Sequence, residues 1–200
     1  MSDRPTLCEL GVAWGTDKHD DIHFPENGDL ASFYHSLLKD RRDSIYKVLE
    51  VGIGTKEAMR HTGKPYTPGA SLFMWEAYFP NADIYALDVA PEVLINQGRI
   101  RSFRCDQGDG GSLMSVLPYL GHGFDFIVDD GSHIPEHQIK TARMFFPLLA
   151  PGGIYAIEDI PIAERNHVAS GIPWKSEFHE VIDIYGGVGD LVLVMREGEK

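Results

Sequence analysis

FDFIVDDGSHIPEHQIKTARMFFPLLAPGGIYAIED, residues 124–159, is the stretch on which the fold turns. An apolar run closes on Asp129 and Asp130, and an amphipathic helix is expected from Glu136 to Leu149. A Pro-Gly-Gly turn then leads into a second apolar run, Gly153 to Ile157, that closes on Glu158 and Asp159. Strand, helix and strand of these lengths make a parallel crossover unit. In an open parallel sheet the carboxyl ends of the strands emerge along one edge, where ligands of such sheets bind, so the four acids are expected there together. Carboxylate oxygens are the hard donors that magnesium takes, and His133, three residues after Asp130, has the chemistry of a general base. A lone strand-end acid is as often a solvated cap, and His133 could cap the helix that Pro135 begins. Four acids on two neighbouring strand ends weigh against that, because they repel one another unless a cation joins them. His137 invites a zinc reading, but no cysteine stands near and carboxylates dominate the set.

Working backward, Tyr46 to Val51 is a β-rich run that breaks into Gly52-Ile53-Gly54, as the first strand of a doubly wound sheet should. The third glycine of a dinucleotide fingerprint is missing, since Thr55, Lys56 and Glu57 follow, so no helix terminus is set up for a pyrophosphate. Asp83 to Asp88 and Ile100 to Arg104 read as the next two strands. They end in Asp88, placed for ribose hydroxyls, and Asp106, placed near an adenine. Acids at successive strand ends without a phosphate-binding helix favour a nucleoside lacking phosphates. Helices are expected from Leu30 behind an Asp29 cap, over Ala70–Phe79, and over Ser112–Leu120. The tail, Phe178–Tyr185 and Leu191–Arg196 around a Gly-rich turn, reads as an antiparallel hairpin. The sum is an α/β, doubly wound, seven-stranded sheet with one antiparallel edge strand. Residues 1–28 form an irregular arm over the site and 29–200 the catalytic domain. Trp174 stands among Gly171, Pro173 and Lys175, where it could stack on a sugar ring. Residues 19–28, 55–68 and 161–177 are expected to frame the acceptor.

Bulk properties narrow the function. A chain of 200 residues suits one domain with a real core, and 43% hydrophobic with 24% charged residues is ordinary for a soluble protein. A net charge of -12 argues against a nucleic-acid partner, which needs a basic face. Cys8 and Cys105 are too far apart for a zinc ribbon, and two cysteines make no disulfide framework. With no signal-like leader and no long apolar run, a cytoplasmic location and no membrane partner are expected.

The GTDK tetrad (residues 15–18), the GASLFMW helix start (69–75) and the DDGSH and IED pair (129–133 and 157–159) occur here together. In that combination the chain strongly resembles the class I, S-adenosylmethionine (SAM)-dependent and magnesium-dependent sugar O-methyltransferases. That family includes macrolide deoxysugar, rhamnosyl and methylmannose polysaccharide O-methyltransferases. The resemblance implies that Thr16 and Lys18 close over the cofactor, that Glu50, Gly52 and Ser71 line its methionine end, and that Asp88 holds the ribose. It further implies that Asp106 and Gln107 contact the adenine. Asp130, Glu158 and Asp159 would bind magnesium, with Asp130 also facing the cofactor, and His133 would be the base. The expected reaction is methyl transfer from SAM to a sugar hydroxyl of a small-molecule or oligosaccharide acceptor. A 1-O-methylation of a methylmannose oligosaccharide is one version. A short catalytic domain with such an arm is also a candidate homodimer. The alternatives are a metal-dependent hydroxylase or oxidoreductase of the cephalosporin hydroxylase type, and a nucleoside-binding module without catalysis. The macrolide enzymes carry a sizeable region ahead of GTDK, whereas this sequence starts just ahead of the tetrad, so acceptor recognition and assembly are not expected to carry over from them.

Overall fold

A computed structural model describes residues 4–19, 29–62, 66–182 and 188–198. Among these residues, eight strands form one sheet: β1 (Lys47–Val51), β2 (Asp83–Asp88), β3 (Asn96–Gln97), β4 (Ile100–Arg104), β5 (Phe124–Asp129), β6 (Leu149–Ile157), β7 (Ser176–Ile182) and β8 (Val188–Arg196). Their spatial order is β3-β4-β2-β1-β5-β6-β8-β7. β4, β2, β1, β5 and β6 run parallel, with β8 reversed against β6 and β7. The chain turns back between β1 and β5, which opens the crevice at their carboxyl ends.

Two features differ from the seven-stranded expectation. The two-residue β3 pairs antiparallel with β4 and adds an eighth strand, too short to leave a periodic signal. Of the final hairpin, β8 is the strand reversed against β6 and it lies inside the sheet between β6 and β7, while the antiparallel strand at the sheet's edge is β3. The final hairpin folds so that its second strand, not its first, meets β6. The turn expected around residues 186–190 lies partly outside the described residues.

Among the described residues, six α-helices cover the sheet. α1 (Leu7–Trp14), α2 (Leu30–Leu38) and α3 (Ala70–Tyr78) pack on one face through Leu7, Tyr34, Leu72 and Trp75. α4 (Gly110–Leu120), α5 (Pro135–Phe145) and α6 (Arg165–Gly171) pack on the other through Leu113, Phe145 and Val168. The strands feed both layers by alternation: Phe126 and Val128 face α1–α3, whereas Ile127 faces α4–α6. The expected irregular arm is helical over α1. Thr6 accepts from the Glu9 N–H and Glu9 reaches back to the Thr6 N–H, a complete capping box, while Gly15 closes the helix in the left-handed region. Eight residues are too few for periodicity to show. α6 likewise occupies part of the segment expected to be an acceptor loop. Trp174 is half-buried: its ring stacks on Phe146, centroids 4.1 Å apart, and packs against the α4–α6 layer.

Candidate active site

The crevice holds a cavity of about 550 Å³. Gly52, Ser71, Asp88, Asp106, Gln107, Asp130, His133 and Asp159 line it, as does Asp17 of the arm. Thr16, Lys18, Glu50 and Glu158 do not reach the wall: all four are buried behind it.

Along the nucleoside side, the Asp88 carboxylate accepts from the N–H groups of Ile53 (2.8 Å) and Gly54 (3.3 Å) through Oδ2 and of Ala90 (2.8 Å) through Oδ1. Those bonds fix it at the tip of β2 and leave Oδ1 a lone pair for a hydroxyl donor. Asp106 Oδ1 accepts from the Gly108 N–H at 2.8 Å. Gln107 is turned inward, its Nε2 donating to Asp129 Oδ1 at 2.7 Å and its Oε1 accepting from the Ser132 N–H at 2.8 Å. It clamps the loop after β5, and its amide is largely occupied there. Gly52 has a positive φ of 96°, and a β-carbon on it would meet the Asp130 carbonyl oxygen at 2.0 Å. Only glycine lets the tips of β1 and β5 approach this closely.

On the acid side, alternation splits the four carboxylates. Asp129 continues the Ile127 face and is buried with Gln107 and, at 3.5 Å, the Tyr155 hydroxyl; burial pushes its carboxyl up to about 7. Asp130 and Glu158 fall on the opposite face, that of α1–α3. There Lys18 Nζ donates to Asp130 Oδ2 at 2.7 Å and to Glu158 Oε2 at 2.6 Å, and lies 3.7 Å from Glu50 Oε1. The Tyr34 hydroxyl takes the other Glu158 oxygen at 2.7 Å, and Trp75 Nε1 donates to Glu50 Oε2 at 3.0 Å. Burial pushes Glu50 up to about 7, with Lys18 opposing. Burial also pushes Glu158 upward, yet both its oxygens face donors, the arrangement of an anion. For Asp130, burial is outweighed by Lys18 and His133, and its carboxyl is held down at about 2.

At the rim, His133 Nε2 lies 3.3 Å from Asp130 Oδ1 and its Nδ1 lies 3.4 Å from Asp159 Oδ2. The hydrogen bond with Asp130, against the opposing effect of burial, lifts the imidazole to about 9. His133 (φ 55°) and Asp159 (φ 54°) are the positive-φ non-glycine residues among those described. Such backbone costs on the order of 1–3 kcal/mol and persists where the surroundings impose it, most often at functional sites. Asp130, His133 and Asp159 each offer one ligand atom, all within 4.8 Å of one another. Glu158 is outside that group, its oxygens engaged by Lys18 and Tyr34. The set fits a hard divalent cation: two half-exposed carboxylates open to the cavity, with a third beneath whose oxygens each retain a lone pair.

Several participants were not singled out from the sequence. Tyr34 sits at the helical spacing of a packing residue, and Asp17 shares its tetrad with Lys18, so neither stands out in the sequence. Of the other histidines, His19 in the arm is buried against Asp29, and His35 on α2 has its Nδ1 2.9 Å from the Tyr78 hydroxyl. His23 lies outside the described residues. His137 Nδ1 meets Ser132 Oγ at 2.9 Å.

No family model matches the chain. Among curated proteins it is 35% identical to mycinamicin VI 2''-O-methyltransferase of Micromonospora griseorubida over 80% of this chain and 37% of that protein. It is likewise 35% identical to demethylmacrocin O-methyltransferase of Streptomyces fradiae, again over 80% of this chain and 37% of the relative. A rhamnosyl tetracenomycin-C 2'-O-methyltransferase of Streptomyces olivaceus is 32% identical over 79% of this chain and 38% of that protein. The chain therefore spans a little over a third of the length of these relatives. Among solved structures, MycE methyltransferase from the mycinamycin biosynthetic pathway, in complex with Mg, SAH and mycinamycin VI, superposes with a TM-score of 0.73. The identity is 26%, over 98% of this chain and 56% of that one. NodS, an N-methyltransferase of Bradyrhizobium japonicum in complex with S-adenosyl-L-homocysteine, is 14% identical with a TM-score of 0.53 over 95% of this chain and 99% of that one, a likeness of fold. By sequence and by architecture this chain is a homologue of the macrolide and rhamnosyl-tetracenomycin sugar O-methyltransferases, built on the class I methyltransferase fold.

Proposed function

We propose that this chain carries out magnesium-dependent transfer of a methyl group from SAM to a sugar hydroxyl. The convergence of Asp130, His133 and Asp159 at the rim of the cavity carries the reading, because it sets a hard donor set and a proton acceptor beside a nucleoside-sized crevice. Asp88 would orient the ribose, Asp106 the adenine edge, and Gly52 and Ser71 the methionine end. Gln107 would act by holding the loop that carries Ser132. Asp130 and Asp159 would hold the magnesium, with Glu158 as third donor. The ion's contribution when bound is to gather the acceptor's oxygens and make the reacting hydroxyl more acidic.

What the residues then do follows from their positions. A sugar hydroxyl is a poor nucleophile at neutral pH, so its proton must leave as the new bond forms. His133 would accept that proton on a ring nitrogen, while a SAM held in the crevice would supply the methyl carbon to the hydroxyl oxygen and keep the electrons of the broken S–CH3 bond on its sulfur. Both ring nitrogens face carboxylates in the present arrangement, and those charges hold the imidazole protonated. Asp130 and Asp159 would hold the ring's proton less strongly if their charge were shared with a bound cation, leaving His133 available as a base. A single histidine among carboxylates speaks against the facial iron triad of a hydroxylase, which uses two.

Methyl-labelled SAM offered with a panel of monosaccharides, oligosaccharides and glycosylated natural products tests the reading. Label should pass to a carbohydrate, stop with EDTA and resume with excess magnesium. Transfer that ignores EDTA would refute the metal role, and transfer only to non-carbohydrate hydroxyls would refute the acceptor class.

A further inference from the structure

Lys18 is a fully buried lysine at the meeting point of three strand tips. Its side chain is 1% exposed, and its ammonium lies 2.6 Å from Glu158, 2.7 Å from Asp130 and 3.7 Å from Glu50. The acids come from β1, β5 and β6, adjacent in the sheet, and alternation sends all three to the α1–α3 face. With Asp17 and Asp159 lining the cavity next to them, five carboxylates crowd one end of the crevice. Lys18 is delivered by the turn after α1, and the Ala31 N–H donates to its carbonyl at 2.8 Å, so the start of α2 fixes its backbone. It does not line the cavity. The cost of burying an ammonium here is offset by the carboxylates it neutralises.

The lysine takes one oxygen from each of Asp130 and Glu158, the inner pair of the proposed metal ligands. The other Asp130 oxygen faces His133, and the other Glu158 oxygen is held by Tyr34. A divalent ion entering beside Asp130 and Asp159 therefore meets a fixed positive charge that already shares two of its candidate donors.

We infer that Lys18 is a positioning residue that sets the affinity of the site for its divalent cation, holding Asp130 and Glu158 in place without the ion and competing with the ion for their oxygens. The arm is on this account part of the metal site: an ion is bound weakly enough to exchange, and the acids stay converged while it is absent. This rests on the metal reading given above and adds a direction to it, since removing the lysine tightens ion binding instead of weakening it.

The test is a direct binding measurement on the intact chain, Mg2+ by calorimetry and Mn2+ by electron paramagnetic resonance, comparing wild type with Lys18→Met, Lys18→Gln and Lys18→Arg. The neutral variants should bind the ion at least about tenfold more tightly, in keeping with loss of a neighbouring like charge in a partly desolvated site. Lys18→Arg, which keeps the charge, should return to near the wild-type constant, an outcome that disruption of the fold would not produce. If the neutral variants are too unstable to titrate, their melting temperature should rise more steeply with added Mg2+ than that of wild type. Unchanged or weaker binding in the neutral variants, or equal thermal shifts, overturns the inference while leaving the metal site standing. No binding to any of the four proteins removes the metal site itself, and this inference with it.

Discussion

His133 is held where an L-residue resists being held, at a φ of 55° on a loop pinned by Gln107 through the Ser132 N–H. The position gives the ring two carboxylate neighbours and a cavity edge, and Ile134 and Pro135 then start α5. Nothing in the core depends on the imidazole, which is 45% exposed, so its removal should be felt in the chemistry and not in the fold. We expect His133→Ala to lower kcat by roughly 10² to 10⁴, the range of a positioned acid or base. SAM affinity by calorimetry should stay unchanged, because Asp88 and Asp106, proposed to hold the nucleoside, stand at the end of β2 and just after β4 and not on the loop after β5 that carries His133. A variant that turns over at the wild-type rate would show that another group takes the proton.

At the scale of elements, strand parity does what sequence proximity cannot. Asp129 and Asp130 are neighbours along the chain, yet one is sealed against Gln107 and Tyr155 and the other meets Lys18. The same alternation joins Glu50, Asp130 and Glu158 from three strands. The parallel runs themselves were legible because most of them break into an acid or a glycine, whereas their spatial order is given only by the strand pairing. The face of each acid was recoverable in principle by counting from Phe126 and Val48. What stayed hidden was α1, whose eight residues carry too little periodicity, and the inward turn of Gln107 and Lys18, which only tertiary packing decides. The arm has its own fastening. The His19 imidazole is hydrogen-bonded to the Asp29 carboxylate, and Asp29 also caps α2 by accepting from the Ser32 N–H at 2.7 Å. That pairing, chiefly the bond to Asp29, lifts His19 to about 10, whereas Asp29 is lowered because its bonds to His19 and Ser32 outweigh burial. For a raised base the stabilisation is complete below its unfolded value near 6.5 and disappears as pH climbs through the folded value. Denaturant melts should therefore show stability falling between about pH 6.5 and 10. Asp29→Asn, which retains a good helix cap but not the charge, should flatten that slope. An equally steep slope in the variant would mean that another group titrates.

The whole molecule joins two apolar layers through one sheet, and the cavity draws on both. Gly52, Asp88 and Asp130 come from the tips of β1, β2 and β5, Asp17 from the arm on the α1–α3 side, and His137 from α5 on the other. A ligand filling it bridges segments from residue 17 to residue 159, so binding should stabilise the chain as one unit and not a part of it. At about one hundred times its dissociation constant, a ligand that binds only the folded state adds roughly 2.7 kcal/mol. For a chain of this size each kcal/mol moves the melting temperature by about 2–4 °C. Saturating SAM should accordingly raise a single, sharp thermal transition by roughly 5–10 °C on the same arithmetic. Calorimetric scanning checks both the shift and the number of transitions. Two separated transitions, with only one responding to SAM, would mean that one helical layer unfolds independently and that the crevice is borne by the other alone.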